Sequence, residues 1–133
     1  RAAGRLRQHP NFIALWATML AEQGLTVRAR AALVEALPIL RSSGTPWMAH
    51  VALAWLAMHE GRNEDAARVI GHHAAMLRAG RAAESGAYIA RSLKELSERL
   101  TERIGVDAFE RGRDAGSSLD DLQAERLALG STT

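Results

Sequence analysis

The sequence predicts an all-α domain of about seven helices stacked as antiparallel hairpins. Three observations lead there. Alanine, leucine, arginine and glutamate, all good helix formers, dominate the 133 residues. No segment sustains the period-two alternation of β-branched residues that a half-buried strand requires. Glycines, prolines and capping residues recur at the spacing of helix ends.

The elements follow in order. A first helix is expected over about 11–23, led in by His9-Pro10-Asn11 and stopped by Gly24. A second spans about 27–41, with Thr26 as its N-cap and Pro38 kinking or fraying its last turns. After the loop "RSSGTP", Thr45-Pro46 supplies an N-cap followed by proline at the first helical position, and the third helix runs to Glu60. Asn63 caps the fourth, whose first turn holds Glu64 and Asp65, where the helix dipole favours anions. The fifth covers about 83–104. Its apolar stripe is Ile89, Leu93, Leu96, Leu100 and Ile104, and Arg91–Glu95, Lys94–Glu98 and Glu95–Arg99 lie four apart on its outer faces. A short helix over 107–109 follows Gly105, and a last one over about 118–129 starts with a capping box at Ser118–Asp121.

The hairpins repeat. Gly24 is followed five residues later by Ala29, and Gly61 by Ala66; each glycine ends one helix and each alanine allows close approach of the next. Superposing the glycines lays residues 10–43 on 47–80, matching Trp16 with Leu53, Ala17 with Ala54, Leu20 with Ala57 and Ala36 with His73. This pattern resembles the tetratricopeptide repeat, with "GTP" at 44–46 lengthening the turn between units. Arg41 and Arg78 stand where that repeat usually has its helix-terminating proline. A third hairpin over about 81–115 is diverged, since Glu98 occupies the position of the expected glycine.

The C-terminal stretch carries a second likeness. Gly105, Ala108, Phe109, Gly116, Leu119, Asp120 and Asp121 resemble the ends of tetratricopeptide-like arms in large bacterial signalling proteins. These are STAND-class ATPases, LuxR-type ATP-binding transcription regulators and related adenylate cyclases. Their usual second aromatic is replaced around Gly112, and an arginine they favour after the second glycine is Ser117 here. The resemblance implies that Phe109 plugs the end of the hydrophobic seam and that the last helix caps the stack.

Composition bounds the class. The length suits one domain over 1–133, and a chain opening on Arg1 is expected to be part of a longer protein. No apolar run reaches the length of a membrane span, and no apolar run with a cleavage site follows the basic N-terminus. The absence of cysteine excludes disulfides and thiolate metal sites and fits the cytoplasm. The formal net charge is +2, with Lys94 the only lysine, but residues 1–41 are basic and residues 104–133 acidic. Such asymmetry suits a solvated surface or the steering of a partner.

Chemistry is hard to find, and neither a catalytic residue nor a cofactor is expected. The only lysine lies mid-helix between Leu93 and Glu95, so no phosphate-binding loop is present. "HEGRN" at 59–63 starts like the zinc-protease motif HExxH, but Asn63 replaces the second histidine and Gly61 breaks the helix. His72 and His73 are adjacent, hence about 100° apart around a helix, and make no ligand pair on one face. With no convergent carboxylate evident, no metal is expected. Glu64–Asp65 and Asp120–Asp121 read as helix-start acids, and Ser117 and Ser118 as turn residues.

The third helix is unusual because Glu60 is its only formally charged residue between Ser42 and Gly61. It reads either as a central helix buried on most sides or as part of a binding surface. Tetratricopeptide-like arrays bind partners on the concave face formed by the first helix of each unit. The resemblance therefore implies a candidate face of Asn11, Thr18, Glu22, Met48, Val51, Trp55, Met58 and His59. The function expected is a non-enzymatic interaction or sensor domain of a bacterial signalling regulator, binding a protein, peptide or effector there. The alternative is nucleic-acid binding through the N-terminal arginines, although these lack interleaved stacking aromatics.

Overall fold

The structure, a computed structural model, describes residues 9–84 and 86–130, and the described residues are helical with no strand. Among the described residues seven helices follow one another: α1 (Pro10–Glu22), α2 (Thr26–Ser42), α3 (His50–His59), α4 (Asn63–Arg78), α5 (Ala87–Ile104), α6 (Val106–Gly116) and α7 (Asp121–Leu129). One 3-10 turn, Pro46–Ala49, leads into α3. The expected all-α class is thus present.

The first four helices form two hairpins closed alike. Each helix ends where a glycine turns left-handed, at Gly24 (φ 79°), Gly44 (φ 74°), Gly61 (φ 83°) and Gly80 (φ 73°). In each case the next residue's N–H reaches back to an orphan carbonyl of the last turn, as Leu25 does to Leu20 (3.1 Å) and Arg62 to Ala57 (2.8 Å). The two corners abut. The His59 Nε2 atom lies 3.2 Å from the Glu22 carbonyl, and a Cβ on Gly24 would sit 3.4 Å from the His59 ring.

Four of the five pairs of positions matched by the repeat register are buried in both hairpins. Ala29 and Ala66 are both fully buried, as are Ala17 and Ala54, and Leu20 pairs with Ala57 and Ala36 with His73 as buried positions. Trp16 and Leu53 differ, at 41% and 0% exposed, because α1 lies at the edge while α3 is surrounded.

Several helix ends depart from expectation. Leu25 and Arg62 occupy the N-cap positions of α2 and α4 without side-chain caps, so Thr26 and Asn63 are first helical residues instead. Thr45 makes no capping bond, and its buried Oγ1 has no partner among the described residues; Pro46 opens the 3-10 turn directly. Pro38 lies inside α2, which continues to Ser42. The helix expected at 107–109 extends over eleven residues, and α5 starts at Ala87. Capping of α7 falls to Asp120, whose side chain accepts from Gln123 N–H while Gln123 returns the bond, so the box begins two residues after Ser118. On α5 the stripe faces inward as expected, with Leu96 and Leu100 fully buried and Ile89, Leu93 and Ile104 packed at its margin. Of its three charge pairs, only Arg99–Glu95 forms among the described residues, at 2.8 Å.

Beyond residue 80 the chain stops stacking and wraps. Gly105 (φ 89°, ψ 160°) is at once the last cap of α5 and the first of α6, so these helices meet without a loop. Then α6 crosses α4 at close range. A Cβ on Gly71 would lie 2.0 Å from the Arg113 carbonyl oxygen, and one on Gly116 would lie 1.8 Å from that of Arg68. Only glycine permits backbones this near. Phe109 is buried in the core.

The last helix does not cap the far end of a stack. It returns alongside α3 and α4, and arginines of the first two hairpins seize its C-terminus. Arg62 donates to the carbonyls of Leu127 and Ala128, each at 2.7 Å, and Arg30 to that of Leu129 at 2.6 Å. Cations here satisfy orphan carbonyls and complement the helix dipole. As a result α3 is enclosed by α1, α2, α4, α5 and α7, and every residue from His50 to Met58 is buried. That enclosure explains a helix without a polar face.

Candidate functional site

The expected concave face is not an open surface, and that expectation is corrected here. Thr18, Val51, Trp55 and Met58 are buried, at 0%, 3%, 0% and 0% exposed. The reason is α5, which lies across the first helices of both hairpins. Trp55 Nε1 donates to Ser92 Oγ at 2.8 Å, and Ser92 in turn donates to Glu22 at 2.7 Å. Tyr88 donates to the other Glu22 oxygen at 2.9 Å, and Arg103 donates to the Met58 carbonyl at 3.1 Å. Burial, with Glu22 beside it, pushes the Tyr88 phenol up to about 12, so it stays protonated and donating. Thr18 Oγ1 bonds back to the Ala14 carbonyl at 2.7 Å. Of the eight residues, Asn11 alone is exposed; Glu22, Met48 and His59 are half-buried.

An apolar surface exists elsewhere, on the outer side of α1. Phe12, Leu15, Trp16 and Met19 are 41%, 41%, 41% and 36% exposed. Their spacing of three, four and seven residues puts them in one stripe, while Ile13, Ala17, Leu20 and Ala21 point into the core. A groove lined by Phe12, Ile13, Trp16, Ala32 and Glu35 runs beside that stripe, and Arg28 lies 5.8 Å from the Trp16 ring centroid. The signal was present in "PNFIALWATML", where apolar residues occupy both faces of one helix.

A second constellation is polar and internal. His50 opens α3, His72 and His73 lie on α4, and Asp121 opens α7. His72 Nε2 is 2.7 Å from Asp121 Oδ1, and its Nδ1 is 3.0 Å from the Leu119 carbonyl oxygen. His50 Nε2 is 3.6 Å from the same Asp121 oxygen, while its Nδ1 is 2.8 Å from Nδ1 of His73. The histidines are buried and the Asp121 side chain is 32% exposed at the rim. Burial pushes His73 down to about 4, with the neighbouring imidazoles adding to it, and lowers His50 although Asp121 opposes that shift. The imidazoles of His50 and His72 hold Asp121 at about 2. Next to them Glu125 is raised by burial despite its ion pair with Arg41.

The adjacent histidines do diverge, as their spacing required. The expectation that no carboxylate converges on them fails, because α7 folds back and delivers Asp121. Nothing in the local sequence around 72–73 announces this. Its trace is the row of glycines at 71, 112 and 116, whose packing carries the chain back over α4.

The remaining sequence candidates have structural work. His59 stacks on Trp55 (ring centroids 5.6 Å apart), and Glu60 receives Arg30 and Arg62, so "HEGRN" gathers no metal ligands. Asp65 accepts from Arg68 at 3.1 Å, and Ser117 and Ser118 bond to carbonyls of their own turn. Of the N-terminal arginines, Arg1, Arg5 and Arg7 lie outside the described residues, while Arg30 and Arg41 are engaged internally. No helix among the described residues is long and apolar enough to cross a membrane. The chain matches no protein-family model, no curated protein and no solved structure.

Proposed function

We propose that the chain is a non-enzymatic interaction domain, the helical arm of a bacterial signalling or transcription regulator working in the cytoplasm. It docks an apolar helix or peptide segment of a partner, or of an adjoining domain, on the outer face of α1. The observation that supports this reading is the stripe Phe12, Leu15, Trp16 and Met19, exposed on a helix whose opposite side is already core. Helices apolar all round are buried in finished assemblies, and contiguous exposed apolar patches mark interaction sites. Arg28 and Glu35 at the margin supply polar contacts that orient the partner.

A photo-crosslinking residue placed at Leu15 in cells tests the reading. Adducts of one defined mass that vanish when Trp16→Asp is added support it. Equal crosslinking from Lys94, on the far side of α5, would count against a specific face.

A further inference from the structure

We propose that His50, His72 and Asp121 form a divalent transition-metal site, with Zn²⁺ as the ion that fits best. One ligand atom from each, two imidazole nitrogens and one carboxylate oxygen, lie within 4.8 Å of one another. Two histidines and a carboxylate are a recognised tetrahedral zinc set that leaves a fourth position to water. Tetrahedral zinc separates such ligand atoms by about 3.3 Å. The two separations from Asp121 Oδ1, 2.7 Å and 3.6 Å, bracket that value, and binding would require small adjustments of the side chains.

The hydrogen bonding around the ligands argues further than their proximity. Both ring nitrogens of His72 face acceptors, the Leu119 carbonyl at 3.0 Å and Asp121 Oδ1 at 2.7 Å. A neutral imidazole has one N–H and satisfies only one of them. In either tautomer the other nitrogen points a lone pair at an oxygen, and a cation taking the place of the proton on the Asp121 side removes that conflict. With a metal present both nitrogens of His72 and both of His50 have partners. His72 Nδ1–H donates to Leu119 and Nε2 binds the ion. His50 Nδ1–H donates to His73 Nδ1 at 2.8 Å, and its Nε2 binds the same ion. Metal-bound histidines commonly have the other ring nitrogen held in this way, which fixes tautomer and orientation. His73 is then a positioning residue for His50. The neighbouring cation Arg41 is committed to Glu125, leaving Asp121 to the imidazoles.

The ligands come from α3, α4 and α7, so the ion would pin the returning helix to the second hairpin. The site is independent of the α1 face, and its failure leaves the docking proposal untouched.

Zn²⁺ titrated into the chelator-treated full chain, followed by calorimetry and thermal unfolding, tests the site. Co²⁺ in its place reports geometry by visible absorption. Expected are one ion per chain, a raised Tm and tetrahedral Co²⁺ bands. His72→Gln and Asp121→Asn should each weaken binding about tenfold or more, and His73→Gln should weaken it about 10–100-fold while keeping one ion per chain. If His72→Gln fails to fold, Asp121→Asn decides, since the α7 capping box belongs to Asp120 and Gln123. Absence of Zn²⁺ binding by the wild type overturns the proposal. So does binding undiminished in folded Asp121→Asn, which would place the ion elsewhere, or a Tm left unmoved by the ion.

Discussion

The indole N–H of Trp55 donates to Ser92 Oγ at 2.8 Å, and this bond joins the centre of α3 to the helix that closes over it. Ser92 passes the interaction to Glu22, which also receives Tyr88, so α1, α3 and α5 meet in one satisfied polar chain that runs from the core at Trp55 to its margin. Buried polar groups joined in this way fix orientation as well as contributing stability. The enclosed tryptophan belongs to folding, whereas Trp16 lies on the exposed stripe of α1.

Trp55→Ala should therefore destabilise the chain by about 3–5 kcal/mol, through the cavity and the lost donor to Ser92 Oγ. Trp16→Ala should cost clearly less, about 1–2 kcal/mol, because part of its ring is already in water. Urea unfolding followed by circular dichroism measures both. A small effect at Trp55 would contradict its placement in the core.

The glycines between α4 and α6 make a second prediction. Gly71→Ala and Gly116→Ala should each cost about 1–3 kcal/mol or more, because the new methyl meets a carbonyl oxygen of the opposing backbone. Helix propensity works in the other direction, since alanine is favoured over glycine by about 1 kcal/mol in a helix interior. A net loss in thermal unfolding therefore isolates the close approach, whereas a net gain would mean that the helices lie further apart.

These residues also show what could be read from the sequence and what could not. The left-handed corners at Gly24 and Gly61 were legible because a local steric demand, positive φ, selects glycine. So was the stripe from Ile89 to Ile104, because burial on one helix face writes a period of 3.6. The path of the chain after Gly80 was not. Gly112 and Gly116 say that something approaches closely, but not that it is α4. Trp55 and Met58 show the same limit: an apolar residue looks alike whether a partner or α5 covers it. The cluster of His50, His72 and Asp121 was the least legible, as its members come from three helices that only the return of α7 brings together.

Attachment of α7 depends on arginines from the hairpins. Arg62→Ala removes donors to Leu127 and Ala128 and should cost about 1–3 kcal/mol, since charged hydrogen bonds to partly buried carbonyls are lost. The loss should be local. Amide hydrogen exchange should accelerate in 121–129 well before it does in α1 or α2, and uniform acceleration would show instead that α7 unfolds only with the whole chain.

Acid should loosen the same region through Glu60. Burial works to raise this carboxyl, but hydrogen bonds from Arg30 and Arg62 outweigh it and hold the group below its ordinary value of 4.5. A carboxylate whose folded value is depressed contributes stability that is complete above the unfolded value and is lost as pH falls through the folded one. The pair is partly solvated, so the contribution is modest and screened by salt. Glu60→Gln should lower the urea midpoint near neutral pH, and its difference from wild type should shrink as pH falls through and below the ordinary value of 4.5. Because Arg30 and Arg62 also hold the end of α7, that change should coincide with faster exchange at 127–129. A wild-type-minus-mutant difference that stays constant across the acid range would remove Glu60 from the account and leave the arginines bound to α7 through its carbonyls alone.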